Sequence, residues 1–219
     1  MLAPAPDCRR CPRLVALRRR IRQTYPTYHA APVPVFGPAN ARLLIVGLAP
    51  GLHGANASGR PFSSDSAGAL LYPTLFDHGF ARGQDIDDSA TDRFLIDCRI
   101  TNAVKCLPPD NKPVADEINA CNGFLASEID TAEVLITLGG LAHKATIRAL
   151  GLRQRDYRFG HGASYDLPSG QRLIASYHCS RYNTNTKRLT PAMFAAIFAR
   201  ARASVDRAKR LSLQSTDAS

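Results

Sequence analysis

The sequence predicts an α/β fold: one three-layer α/β/α domain around a central, mostly parallel, four-stranded sheet. Short apolar runs alternate along the chain with longer stretches of helical period, the pattern of strand–helix–strand units. The first run, Leu43-Leu44-Ile45-Val46, reads as a buried strand and breaks at once into glycine, proline and small residues. No internal repeat and no linker marks a second domain, and 219 residues suffice for one domain with a substantial core.

The elements follow in order. Residues 8–24 carry Leu14, Val15, Leu17 and Ile21 among arginines, which predicts an amphipathic helix. Residues 25–41, rich in proline and tyrosine, read as an ordered loop. Residues 42–47 form the first strand, and 48–65 the loop after it. A helix is expected over 66–78, with Asp65 or Ser66 as N-cap. The second strand covers Cys98 to Val104, and Pro113 opens a helix through Glu128. Glu133 to Leu138 is the third strand, ended by Gly139-Gly140. Leu141 to Leu150 is a helix stopped by Gly151. Arg172 to Ser176 is the fourth strand. Thr190 as N-cap and Pro191 at the first helical position start a last helix toward Arg210. The domain is expected over 1–211, with 212–219 a polar, disordered tail.

Composition narrows the partners. Lys plus Arg number 28 against 18 Asp plus Glu, a net charge of +10, which favours a polyanion and nucleic acid first. No apolar run could span a bilayer, and the N-terminus lacks a basic flank before an apolar stretch. An intracellular protein without membrane contact is expected. Six cysteines in such a chain read as ligands or buried thiols rather than disulfides. The Cys8/Cys11 pair with Cys106 and Cys121 could hold zinc or an iron–sulfur cluster on spacing alone. Cys98 reads as a core thiol.

In open parallel sheets, ligands bind beyond the carboxyl ends of the strands. Three segments fall there: the loop after the first strand, Asn102, and His178. The glycines of the loop, Gly47 and Gly51 among them, let backbone approach a ligand that side chains would block. Phe62 offers a flat face for a ring, and Asp65 a negative charge. Asn102 presents a donor and an acceptor, and His178 a donor.

With these motifs assembled, the chain resembles the uracil-DNA glycosylase superfamily, and its type 5 branch in particular. The resemblance rests on Gly47-Leu48-Ala49-Pro50-Gly51-Leu52-His53-Gly54-Ala55-Asn56 with Gly59-Arg60-Pro61-Phe62. It rests equally on Thr101-Asn102-Ala103-Val104-Lys105-Cys106 before Pro108-Pro109, and on His178-Cys179-Ser180 with Asn183. It implies a monofunctional glycosylase that removes uracil, and other deaminated bases such as hypoxanthine, from DNA. A monomer is expected.

The resemblance also distributes roles. Phe62 stacks on the flipped base, Asn102 reads its edge, and His178 donates to the departing base. Other branches carry an acid or amide where this chain has Ala49 and Pro50. An acid must then come from elsewhere, and Asp65 is the candidate to orient water or stabilise the cationic sugar. Asn56 and His53 support it at water or phosphate. Ser180 grips a phosphate, while Arg181 and Tyr182 stand where a wedge fills the gap left by the base. Cys179 replaces the usual proline of the histidine motif, which predicts a less rigid turn. Cys8, Cys11, Cys106 and Cys121 are implied to hold a [4Fe-4S] cluster. A type 4 enzyme and a catalytically silent damaged-DNA binding module remain the alternatives.

Overall fold

A computed structural model describes residues 2–63, 66–82 and 94–216, with 211–216 described through the backbone alone. The elements are α1 (Pro12–Thr24), β1 (Leu43–Gly47), α2 (Ala55–Ser58), α3 (Gly68–Asp77), β2 (Cys98–Asn102), α4 (Ala115–Ile129) and β3 (Val134–Leu138). They continue with α5 (Gly140–Ala149), β4 (Ser164–Asp166), β5 (Arg172–Ser176), α6 (Arg181–Asn185) and α7 (Pro191–Thr216).

The sheet runs β2-β1-β3-β5-β4. The first four of these are parallel neighbours, and β4 adds a short antiparallel edge to β5. The fifth strand is the difference from the four expected. Three residues of mixed burial give too short a pattern to read as a strand. The first three strands are buried along their whole length, as parallel strands covered on both faces must be. Alternate side chains divide between two cores. Leu43 and Ile45 pack with Leu71 and Leu75 of α3 and Phe194 and Phe198 of α7. Leu44 and Val46 pack with Leu125 and Ile129 of α4 and Ala142 and Ala145 of α5. This is the three-layer sandwich.

Several boundaries move for local reasons. The first helix begins at Pro12, whose fixed φ suits the first turn, so Cys8 and Cys11 precede it and Cys11 is its N-cap. The second strand ends at Asn102, although Ala103 and Val104 still donate to the carbonyls of Gly47 and Leu48 at 2.9 Å. Ala67, not Ser66, is the N-cap of α3, and it makes no side-chain cap bond. Asp65 lies outside the described residues. Gly151 follows α5 at φ +69, the left-handed turn that glycine allows. The Thr190 hydroxyl accepts from the Met193 amide at 3.2 Å and caps α7 as expected. That helix runs past Arg210 to Thr216, through alanine, arginine, lysine and leucine, all good helix formers.

Candidate active site

Strand β1 lies between β2 and β3, and the chain leaves it for β2 on one side and returns to β3 on the other. The crevice at such a point of reversal is where α/β sheets take ligands. Register does the rest: Gly47, the last residue of β1, pairs with Asn102, the last of β2. The pocket loop therefore starts beside the side chain expected to read a base.

A cavity of about 330 Å³ opens there, lined by Ala49, Gly51, Phe62, Asn102, His178 and Ser180 among others. It lies within the size range of small-molecule sites. A larger cavity of about 540 Å³, at the opposite ends of the strands near Glu133 and Arg172, holds none of the expected site residues. The smaller one is the chemical site because the convergent polar groups are there.

Each wall has a physical origin. Phe62 adopts φ +58, a left-handed conformation that costs a bulky residue on the order of 1–3 kcal/mol. The Tyr72 hydroxyl donates to the neighbouring Pro61 carbonyl at 2.8 Å and helps hold that turn. Phe62 is 5% exposed, so it belongs to the core and to the cavity wall at once. Its ring lies 5.9 Å from that of His178 with planes 29° apart. Gly47 is what lets these groups meet. A Cβ at that position would fall 2.8 Å from Phe62 Cζ and closer still to Asn102 Oδ1. At Gly51 a Cβ would meet nothing within 4 Å, so that backbone faces open space.

Asn102 is buried at the floor. The Asn183 side-chain amide donates to the His178 carbonyl at 2.8 Å and braces the histidine loop. Cys179 is fully buried in the core beneath that loop, packed as a small apolar side chain. The turn expected to loosen without proline is thus held by burial. Ser180 caps α6, its hydroxyl facing the Asn183 amide at 3.5 Å. Arg181 and Tyr182 follow on the exposed face of that short helix, Tyr182 being 71% exposed.

Not every expected residue lines the cavity. Asn56 is buried behind Ala55, and its Nδ2 has no hydrogen-bond partner among the described residues. A buried donor of that kind calls for a water or ligand. His53 stands outside, exposed, with its Nδ1 hydrogen-bonded to the Tyr28 hydroxyl at 2.8 Å. Tyr28 stacks in turn on Tyr25, ring centroids 4.6 Å apart. Asn111 lines the cavity and went unnoticed in the sequence. The run Pro108-Pro109-Asp110-Asn111 is a turn signature, and it could have drawn attention there.

The four expected cysteines surround a second, closed cavity of about 10 Å³ together with Arg10, Arg18 and Lys105. Among the described residues, no group of three or more metal-ligating side chains converges as a single ion requires. A tetrahedral zinc site draws its ligands to one point, with sulfur about 2.3 Å from the metal. These cysteines instead ring a space. Burial raises the Cys11 thiol to about 11 and the Cys106 thiol to about 12, and nearby Cys121 adds to both. Burial raises Cys121 as well, against a backbone hydrogen bond from Lys105 that lowers it. Thiols crowded and desolvated in this way resist deprotonation.

Lys105 is fully buried beneath the cysteines. Its ammonium donates to both Glu128 oxygens at 2.8 and 2.6 Å and to Thr101 Oγ1 at 2.5 Å. Desolvation pulls its pKa down, and Glu128 opposes that shift. The arginine fork of Arg13 on α1 holds Glu117 at 2.8 Å through both Nε and Nη2, and reaches the Lys112 carbonyl at 3.1 Å. The cysteine-bearing segment is thus tied to the chain that follows β2.

The comparisons agree with this geometry. Residues 34–202 match the family model of the uracil DNA glycosylase superfamily. The chain is 42% identical over 203 residues to a type-5 uracil-DNA glycosylase of Thermus thermophilus, covering 89% of this chain and 92% of that protein. It is 37% identical over 204 residues to a type-5 uracil-DNA glycosylase of Pyrobaculum aerophilum, covering 90% and 88%. A type-4 uracil-DNA glycosylase of the same organism is 35% identical over 129 residues, 58% of each chain. By its fold, by the site at the carboxyl ends of its strands and by these matches, the chain belongs to the uracil DNA glycosylase superfamily.

Proposed function

We propose that this protein is a type-5 uracil-DNA glycosylase of base-excision repair. It hydrolyses the N-glycosidic bond of uracil in DNA and leaves an abasic site. The observation that carries the reading is the single cavity where Phe62, Asn102 and His178 meet. The long coverage of type-5 relatives supports that branch over type 4.

A base inside a duplex must leave the stack before its glycosidic bond can be cut, at a cost of a few kcal/mol. Phe62 then receives the ring on its face. The Asn102 amide pairs with the carbonyl and N–H edge of uracil. As the bond breaks, negative charge grows on the base and positive charge on the sugar. A donor at His178, aimed at the base, lowers that barrier without reorganising. The glycosidic bond breaks with its electron pair leaving on the base, water adds to the sugar carbon and gives a proton to solvent or a carboxylate, and the uracil anion leaves and takes a proton from solvent. Asp65 is the carboxylate we assign to water or to the sugar cation. Asn56, whose buried Nδ2 lacks a protein partner among the described residues, supports the same water. His53 and Ser180 hold flanking phosphates, and Tyr182 with Arg181 fills the gap left in the stack. Hypoxanthine is a further substrate of the same pocket.

Cys8, Cys11, Cys106 and Cys121 would hold a [4Fe-4S] cluster, supported by the ring they form around one closed cavity. Held by Cys8 and Cys11 before α1, Cys106 after β2 and Cys121 on α4, such a cluster would supply a structural cross-link, and the hydrolysis itself transfers no electrons. Phe62, Asn102 and His178 all come from one chain, which supports action as a monomer. The charge of +10 suits a DNA-associated, intracellular protein. No helix among the described residues is long and apolar enough to cross a membrane.

The test is base release from a labelled duplex carrying one uracil, beside a matched duplex carrying thymine. Alkali-labile breaks at uracil alone are expected. Tight binding to uracil DNA without release would replace the enzyme with a binding module.

A further inference from the structure

We infer that His161 is a positioning residue for base release: its ring holds the Tyr177 backbone and through it fixes where His178 points. This rests on the glycosylase reading above and adds to it a residue outside the pocket.

The backbone around His178 lies beyond the sheet. Strand β5 ends at Ser176, whose carbonyl accepts from the Gly139 amide at 2.8 Å. The ladder between β3 and β5 stops at that residue, and side chains take over. The Tyr177 amide donates to His161 Nδ1 at 3.2 Å. The Tyr177 carbonyl accepts from Ser176 Oγ at 2.9 Å, and the His178 carbonyl from Asn183 Nδ2 at 2.8 Å. Ser176 and Asn183 belong to the same stretch of chain as His178. His161 stands 16 positions before Tyr177, in the turn ahead of β4, and ties that stretch to the framework.

The mount is itself anchored. The Gly162 amide donates to the Ala175 carbonyl at 2.8 Å, and the Ala175 amide to the Ala163 carbonyl at 2.9 Å, so the turn is bound to β5. Arg200 of α7 donates to the Gly162 carbonyl at 2.8 Å. The imidazole stacks on the Tyr177 ring, with centroids 5.1 Å apart and planes at 24°. The Arg188 guanidinium lies 4.6 Å from the centroid of that same ring. His161 therefore holds both the main chain and the side chain of Tyr177.

One form of histidine serves here. A backbone amide only donates, so Nδ1 is bare and Nε2 carries the ring proton. Burial lowers the His161 pKa from its ordinary value, a hydrogen bond to the Met193 backbone opposes that shift, and nearby Arg200 lowers it further. The neutral ring that accepts from Tyr177 is thus the form present at neutral pH. His178 follows the held residue directly, and its ring lies against Phe62. A donor aimed at developing charge works only where it is preorganised, so a shift of the Tyr177 peptide carries His178 off the departing base.

The experiment compares wild type with His161→Phe and His161→Asn, each assayed well below its measured melting temperature. Phenylalanine keeps a flat ring for Tyr177 and removes the acceptor. Asparagine sets an oxygen where Nδ1 stood and keeps it. Single-turnover release of uracil by His161→Phe should slow about tenfold to a hundredfold, the cost of misplacing a reacting group, with Kd for uracil duplex unchanged. His161→Asn should recover release to within about threefold of wild type, because the acceptor is restored. Added to His178→Ala, the His161→Phe change should slow release no further, since the side chain it aims is gone. A role in stability alone would show neither the rescue nor the dependence on His178.

Release by His161→Phe at the wild-type rate would overturn the inference while leaving the glycosylase intact. An equal loss in the His178→Ala background, or a weaker Kd with the rate retained, would overturn it too. Absence of release by wild type would remove the glycosylase reading and this inference with it.

Discussion

The base pocket and the cysteine cavity lie at two ends of one short stretch, Asn102 to Cys106, yet they are built oppositely. The base pocket is open, about 330 Å³, and walled by loops with a left-handed Phe62 and a glycine that no larger residue could replace. The cysteine cavity is closed, about 10 Å³, and sits over the fully buried Lys105–Glu128 pair. An open site with strained walls suits a visitor that enters and leaves. A closed site with a desolvated ion pair beneath it suits a permanent occupant. In one region strain aims side chains at a ligand. In the other, electrostatics and burial join two parts of the chain.

The largest expected effect breaks the closed region. Glu128→Ala strands the Lys105 ammonium in a dry interior and should cost about 3–5 kcal/mol of stability, read by denaturant melts. The double change Lys105→Met with Glu128→Leu should recover most of that loss, because an apolar pair needs no desolvation. If the single variant melts like wild type, the pair is not what supports the cysteine corner.

The next effect breaks the open region. Gly47→Ala forces Asn102 and Phe62 apart. Uracil release should fall on the order of a hundredfold, the cost of misplacing reacting groups by about an ångström. Overpacking should cost about 1–3 kcal/mol besides, read in the same melts. An active Gly47→Ala protein would show that the close approach of β1 to these side chains is dispensable.

The smallest effect sharpens the contrast by touching neither region. Thr190→Ala removes the N-cap of α7 and should lower stability by about 1 kcal/mol, with the rate of base release unchanged.

The open region was largely legible in the sequence because its parts are local. A strand that breaks into glycine, an asparagine at a strand end and a histidine after another strand each announce themselves, and the parallel-sheet rule brings them together. Asn111 escaped because its place depends on left-handed φ at Asp110 and Asn111 and on Arg13, which holds the carbonyl of the next residue, Lys112, from 99 positions away in sequence. The cysteines were legible as a set, but the buried lysine beneath them was not. Lysine is almost never fully buried, so a sequence offers no reason to place Lys105 inside. The edge strand β4 was missed because its three residues are half exposed and show no alternation.

The account's central claim is that the pocket at the carboxyl ends of the strands releases the base, with His178 acting on the departing ring. Single-turnover release of uracil by wild type and His178→Ala, beside their affinities for uracil duplex, tests it most directly. The account predicts unchanged affinity and release slowed about 10²- to 10³-fold in the variant, the loss of one donor aimed at developing charge. Release by His178→Ala at the wild-type rate would contradict it.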